Sequence, residues 1–344
     1  MKVYNELSIY VDINRDVPFC NRGKLDTGTF CNYDCAFCYY RKDLDKVTPL
    51  ETIKERVDQL VEYGITEADL SGGESSVHPS WFEILDYCRE KNLRISTLSN
   101  GFKFADADFM KKSKEHGLEE ILFSLHGSNE ELHDNLVGRK GAFQKIIQAI
   151  NNALMTDIRI RINCTVHNQN CENLDTEFVE LMHDIRPLEV NFIPINYWES
   201  TDKSIEIDYE IVSNKIKAAI DKLEVPLINV RYIPFCYMKG YEKHVCDYYQ
   251  NVYDRFDWNL VAYAGESTDL YLPDKYRFLY SQAAVNRLKY YIKPNECFNC
   301  KYFYLCDGIE KVLQETEIYP EPGEKIKDPI HYRKDFYANF GSEE

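Results

Sequence analysis

Phe30-Cys31-Asn32-Tyr33-Asp34-Cys35-Ala36-Phe37-Cys38-Tyr39 sets three cysteines at the spacing C-x3-C-x2-C. A strand precedes the stretch and an amphipathic helix follows it, so the thiols fall in the first strand-to-helix loop. In α/β folds that loop lies at the carboxyl end of the sheet, where active sites are built. Thiolates are the usual ligands of iron–sulfur clusters, and three of them leave one iron of a [4Fe–4S] cluster without a protein ligand. A cofactor or substrate can bind such an open iron. A structural zinc site asks for four ligands. No fourth Cys or His lies close by, and Cys20 stands upstream at a loose spacing.

Outward from this loop the chain alternates strands and helices. Thr48-Pro49-Leu50-Glu51 reads as a capping box with Pro at the first helical position. Leu50, Ile53, Val57, Leu60 and Val61 then recur at helical spacing, and Gly64 marks the stop. A strand ends at Leu70-Ser71. The pattern predicts helices over 80–91, 105–116, 142–155, 174–183 and 209–223, alternating with strands over 94–98, 121–125, 159–166, 190–194 and 227–233. Alternation of this kind means parallel βαβ units. Six or so units, in a chain too short for eight and a second domain, predict an α/β fold built as a partial (β/α)6 TIM-like barrel. After Pro234 the pattern gives way to clustered aromatics and cysteines, which predicts a small irregular C-terminal domain that needs a metal to fold. The expected organisation is an N-terminal extension over 1–23, the core over 24–233, the cysteine-rich domain over 234–327 and a polar tail over 328–344.

Composition narrows the function classes. Apolar residues make up 44% of the 344, enough for a full core, and the formal net charge is −16. An acidic surface repels phosphate backbones, so no nucleic-acid partner is expected. No run of 18 apolar residues and no secretory signal pattern is present, so no membrane association is expected. Twelve cysteines in a chain expected to be cytoplasmic point to metal ligands or thiol chemistry rather than disulfides.

Further motifs fall at successive strand ends. Ser71-Gly72-Gly73-Glu74 offers two glycines for close backbone approach and a carboxylate acceptor. Ser99-Asn100-Gly101, Ser124-Leu125-His126-Gly127 and Asn163 follow in order, and His133-Asp134, Arg139 and Gly141-Ala142-Phe143 lie between the last two. Singly, each has an ordinary reading as a turn, a left-handed cap or a surface Arg at a helix start. Placed in order after the cysteine loop, they resemble the radical S-adenosylmethionine (SAM) superfamily. Its signature is this C-x3-C-x-aromatic-C loop, with Phe37 in the aromatic position. The resemblance implies a [4Fe–4S] cluster on Cys31, Cys35 and Cys38, whose open iron chelates SAM. It also implies reductive cleavage to a 5′-deoxyadenosyl radical that abstracts a substrate hydrogen, and an electron donor such as flavodoxin or ferredoxin. Gly72, Gly73 and Glu74 would meet the methionyl amino group, Arg139 the carboxylate, and Ser124 and Asn163 the ribose, while Asn100 lines the pocket. His126 stands where many relatives carry Asp. Asn191 and Asn196 fall on the substrate side.

A second cysteine group, Cys297-x2-Cys300-x5-Cys306, has Cys236 and Cys246 upstream. Its spacing fits either a second [4Fe–4S] cluster or a structural zinc. It resembles the SPASM/twitch type of C-terminal extension, which implies auxiliary iron–sulfur clusters. The SPASM pattern continues with a Cys where Glu310 stands here, so one auxiliary cluster is expected. Cys236 is the preferred fourth ligand. Cys246 is then an alternative ligand, a catalytic hydrogen donor that quenches a substrate radical, or an inert thiol. Cys88, Cys164 and Cys171 are given no role. Only about 23 residues precede Lys24, so no fused peptide-recognition module is expected. The favoured reading is modification of a peptide or protein residue. The alternatives are oxidation, epimerisation or lyase chemistry on a sugar, nucleoside or cofactor precursor, and a zinc-stabilised scaffold without activity.

Overall fold

The computed structural model describes Cys20–Phe340 apart from 39, 42–43, 198–204, 252, 258–259 and 263–289. The chain divides into two compact units, one built from Arg22–Asn229 with the strand Leu260–Ala262, the other from Val230 onward.

The first unit is a parallel sheet flanked by helices. Its strands are β1 (Arg22–Asp26), β2 (Glu67–Ser71), β3 (Arg94–Ser99), β4 (Leu118–Ser124), β5 (Arg159–Val166), β6 (Glu189–Pro194) and β7 (Leu227–Val230). They lie side by side in chain order, as a partial barrel requires. An eighth strand, Leu260–Ala262, pairs parallel to β1 with Leu260 opposite Gly23, so part of the expected C-terminal region returns to this sheet. Between the strands run α1 (Leu50–Glu62), α2 (Trp81–Glu90), α3 (Ala107–Glu115), α4 (Glu130–Val137), α5 (Ala142–Met155), α6 (Glu177–Ile185) and α7 (Tyr209–Ile220). Among the described residues no helix is long and apolar enough to cross a membrane.

Helix α5 and strand β5, the longest helix and strand among the described residues, have the bounds read from the sequence. Differences arise where local chemistry was shared with tertiary partners. Thr48 does not cap α1: Pro49 holds the N-cap position with no side-chain bond. The Thr48 backbone instead donates to Thr27 O and accepts from His78 Nε2, tying the helix start to the exit of β1. Helix α4 went unread because its eight residues carry few apolar side chains. Asn129 caps it by accepting from Leu132 N, and Gly138 ends it at φ 63°.

Strand alternation gives the sheet two unlike faces. Leu25, Leu70, Ile95, Phe123, Ile162 and Phe192 are buried on one face, and helices α1, α2, α3 and α5 pack on β1, β3, β4 and β5. Each such aliphatic or aromatic side chain contributes about 1.5–3 kcal/mol. The opposite face is charged at its amino end. Arg22 bonds Glu67 (3.1 Å) and Glu120 (2.9 Å), Arg161 bonds Glu120 (3.0 Å) and Glu189, and Asn229 donates to Glu189. Register explains the contact: Arg161 is the partner of Glu189, and Arg22 of Glu67. Burial opposes the charge on Glu120, yet the neighbouring Arg22, Arg161 and Arg159 guanidiniums outweigh it and hold the carboxyl at about 2.

Breaking a buried ion network by removing one partner costs about 3–5 kcal/mol, so Glu120→Ala lowers stability to urea by that order at pH 7. Because the folded pKa lies below the unfolded value, this contribution is full above about pH 4.5 and fades as pH falls toward about 2. Urea titrations of both proteins at several pH values check it; a gap that does not narrow in acid contradicts the assignment.

Candidate active site

The loop after β1 is held from three sides by backbone bonds. Gly73 N donates to Gly28 O and Glu74 N to Phe30 O, both at 2.8 Å. Thr29 N and Phe30 N donate to Lys46 O, while Asp34 N and Ala36 N reach the last carbonyls of α4, Val137 and Leu136. The first of these contacts explains the paired glycines. A Cβ on Gly73 would overlap the carbonyl oxygens of Thr29 and Phe30, and one on Gly72, at φ +127°, that of Gly28. The space the glycines open is filled by the cysteine loop itself.

Cys31, Cys35 and Cys38 are half-buried and lie within electrostatic reach of one another. Burial is the main cause that raises all three thiols, and Cys31 reaches about 12 with Glu74 adding to it. Asn100 Nδ2 donates to Asn32 Oδ1 (2.9 Å) and approaches Cys31 Sγ (3.9 Å). Glu74 is buried and already well supplied with donors: Ser76, Ser99 Oγ (2.8 Å) and Asn100 N (2.7 Å). Burial raises its pKa and those donors work against the rise. Thus the Gly-Gly-Glu and Ser-Asn-Gly turns and the first cysteine form one bonded group.

Ser124, Asn163 and Asn191 are Cα partners across β4, β5 and β6, one polar row above the charged layer. Asn163 Oδ1 is buried without a hydrogen-bond partner among the described residues. Phe37 stands edge-on to His126, ring centroids 4.7 Å apart, and 6.3 Å from His167. His126 Nδ1 accepts from Thr165 N (3.0 Å), so this histidine, in the position where Asp was the expected residue, joins the cysteine loop to β5. Arg139 is exposed, 5.9 Å over the Phe102 ring. Asp134 accepts from Gly141 N and Phe143 N and so caps α5, which has no cap of its own. Sequence reasoning passed over His167 and Asn170. The Asn170 side chain bridges His126 O, Thr165 O and His167 N, contacts across loops that no spacing rule encodes.

Residues 25–183 match the family model for the radical SAM superfamily. The chain carries a radical SAM domain. An AdoMet-dependent heme synthase from Methanosarcina barkeri is 28% identical over 188 residues, covering 52% of this chain and 53% of that protein. The antilisterial bacteriocin subtilosin biosynthesis protein AlbA of Bacillus subtilis is 32% identical over 146 residues, covering 41% and 32%. The chain therefore spans about half or less of these relatives. In fold it is similar to Streptococcus suis SuiB bound to S-adenosylmethionine, with a TM-score of 0.51 at 15% identity, covering 66% and 53%.

Radical SAM domains use a [4Fe–4S] cluster and SAM, and the residues present fit that pair. Among the described residues no three Cys, His, Asp or Glu side chains converge as ligands of one ion would. A cube takes each thiolate on a different iron, so its ligands stand wider. Buried thiols favour the protonated form until a cation compensates.

In the second unit Cys236, Cys297, Cys300 and Cys306 line one small cavity, with Phe235, Tyr302, Phe303 and Lys293. Cys236 lies on the turn Phe235–Tyr237, and Cys297 on the turn Asn295–Asn299. The antiparallel strands β9 (Tyr291–Ile292) and β10 (Ile309–Glu310) flank Cys297, Cys300 and Cys306 in sequence. Burial raises Cys297 to about 11 and pushes Cys236 and Cys306 up as well. Cys246 does not line this cavity. It is fully buried and donates toward Asn251 and Asp254, beside the pair Arg333–Asp254. Cys20 donates to Asp257 O.

Overpacking costs about 1–3 kcal/mol, and here it falls on backbone that has no rotamer to yield. Gly73→Ala is expected to lower the urea midpoint and to reduce the iron taken up on anaerobic reconstitution. Equal iron content and midpoint in both proteins would show that the turn can move.

Proposed function

We propose that this protein is a radical SAM enzyme that modifies a residue of a peptide or protein. The observation that carries the reading is the bonded group of the cysteine loop, the Gly-Gly-Glu turn and Asn100. It brings three thiols, a buried carboxylate and an amide together at the carboxyl ends of β1, β2 and β3. Cys31, Cys35 and Cys38 would hold the cluster. Glu74 and the turns beside it would meet the methionyl amino group, and Ser124 and Asn163 the ribose. Phe37 would close the adenine side, and Arg139 would swing inward to the carboxylate. When bound, the cluster and SAM supply one-electron cleavage to a 5′-deoxyadenosyl radical that takes a substrate hydrogen. The chain's own part is to orient and to exclude water: Ser76, Ser99 and Asn100 fix the Glu74 carboxylate, and the neutral His126 ring holds Phe37 in place.

Cys236, Cys297, Cys300 and Cys306 would hold one auxiliary [4Fe–4S] cluster, the twitch-like arrangement. The shared cavity favours Cys236 over Cys246 as the fourth ligand. Cys246, sealed among Asp254, Arg333 and Tyr337, is better read as a packed thiol than as a hydrogen donor to substrate. The peptide reading draws on AlbA, named for bacteriocin biosynthesis. The heme synthase favours a second reading, oxidation of a cofactor precursor. A reductase-fed donor such as flavodoxin or ferredoxin and a cytoplasmic site complete the proposal.

Anaerobically purified protein is expected to bind about eight irons, and the Cys31/Cys35/Cys38→Ala triple variant about four, read by iron and sulfide assay. Zinc in both sites would defeat the enzyme reading. Production of 5′-deoxyadenosine stimulated by peptides, with a mass change on the peptide, separates the two substrate classes; stimulation by a porphyrin or sugar alone selects the other.

A further inference from the structure

Besides Asn163 Oδ1, two buried polar atoms, one just past the end of β5 and one on β6, have no hydrogen-bond partner among the described residues. His167 Nδ1 accepts from Gln169 N (3.3 Å), so a neutral ring carries its proton on Nε2. Burial lowers this histidine to about 4, which keeps the ring neutral at physiological pH. The ring is 0% exposed, and Nε2 has no hydrogen-bond partner among the described residues. Asn191, 2% exposed, donates from Nδ2 to Glu189 Oε2 (3.2 Å), which fixes the amide's orientation and leaves Oδ1 as a buried acceptor without a donor among the described residues. Buried polar groups in native proteins are paired, so a donor and an acceptor left bare along neighbouring strands indicate a ligand.

Their spacing and their surroundings say what kind. Val166 pairs with Pro194, and Ile195 N donates to Val166 O, so His167 stands level with Ile195. Asn191 lies four residues earlier, about 13 Å along the strand direction at about 3.3 Å per residue. One amide or one small ring cannot reach both, whereas an extended chain presents same-side groups at that interval. Among the described residues Asn191 bonds Glu189, whose charge is paired with Arg161, and Arg161 is in turn paired with Glu120. A carboxylate brought to this level would be buried without a cation. Both bare atoms are neutral, one donating and one accepting, which is the complement of a peptide amide.

We propose that His167 Nε2–H and Asn191 Oδ1 hold an extended, uncharged segment of the substrate peptide. His167 bonds one backbone carbonyl, and Asn191 bonds an amide N–H about four residues further along. The inference rests on the peptide reading above and adds the way the chain is gripped.

The test uses reconstituted full-length protein carrying 15N-labelled histidine, with acetyl-(Ala-Gly)3-amide as the neutral probe and acetyl-(Asp-Gly)3-amide as the charged one. The expected result is an Nε2–H resonance for His167 that shifts with the neutral probe and far less with the charged one. Probe affinity falls about tenfold in His167→Phe and in Asn191→Leu and is largely restored in His167→Gln, which regains an N–H donor. Wild-type spectra without such a shift overturn the proposal, as does an Nδ1–H tautomer. Weakened SAM binding with unchanged probe affinity in both variants also overturns it, assigning the pair to the cofactor. If the probe shifts His167 while no peptide stimulates SAM cleavage, the grip stands and peptide modification falls. If peptides stimulate cleavage with the same KM in all variants, modification stands and the grip falls.

Discussion

Two backbone hydrogen bonds, Gly73 N to Gly28 O and Glu74 N to Phe30 O, are the constraint on which the site depends. They join the loop after β1 to the loop after β2 at a distance that admits no side chain between them. Once they form, Glu74 lies within reach of Cys31, and Asn100 from the next strand closes over both. The cysteine loop has little regular structure of its own. Its shape is borrowed from neighbouring elements: the Lys46 carbonyl on one side and the end of α4 on the other.

The sheet can hold such a group at one end because its other end is closed by charge. Arg22, Glu67, Glu120, Arg161 and Glu189 fill the inner face where a hydrophobic plug would also have served. Ion pairs of this kind gain little over apolar packing in net stability, but each bond fixes the relative height of two strands. A one-residue slip between β5 and β6 would separate Arg161 from Glu189 and leave Asn163 and Asn191 on opposite faces. The floor thereby keeps in register the polar row above it.

The second unit solves a different problem. Among its described residues the strands are short and the helices are α8 (Tyr248–Asn251) and α9 (Lys334–Phe340). Four of its cysteines, Cys236, Cys297, Cys300 and Cys306, line a cavity walled by Phe235, Tyr302 and Phe303. Cys246 is sealed among Asn251, Asp254, Arg333 and Tyr337 of the same unit.

The sequence by itself determined the alternation of strands and helices, the bounds of α5 and β5, and the loops that carry the chemistry, because periodicity and residue type are local properties. It also marked Cys31, Cys35, Cys38, Glu74 and Asn100 as a set. Tertiary structure decided what the glycines are for, since only the folded chain shows the Phe30 carbonyl lying where a Cβ would be. It placed Cys236 rather than Cys246 at the cavity, turned Asp134 into a helix cap, and left Arg139 exposed. It also brought His126, His167 and Asn170 together. Each of these depends on contacts between residues far apart in the chain or in separate loops, and spacing along a sequence carries no record of distance across a fold.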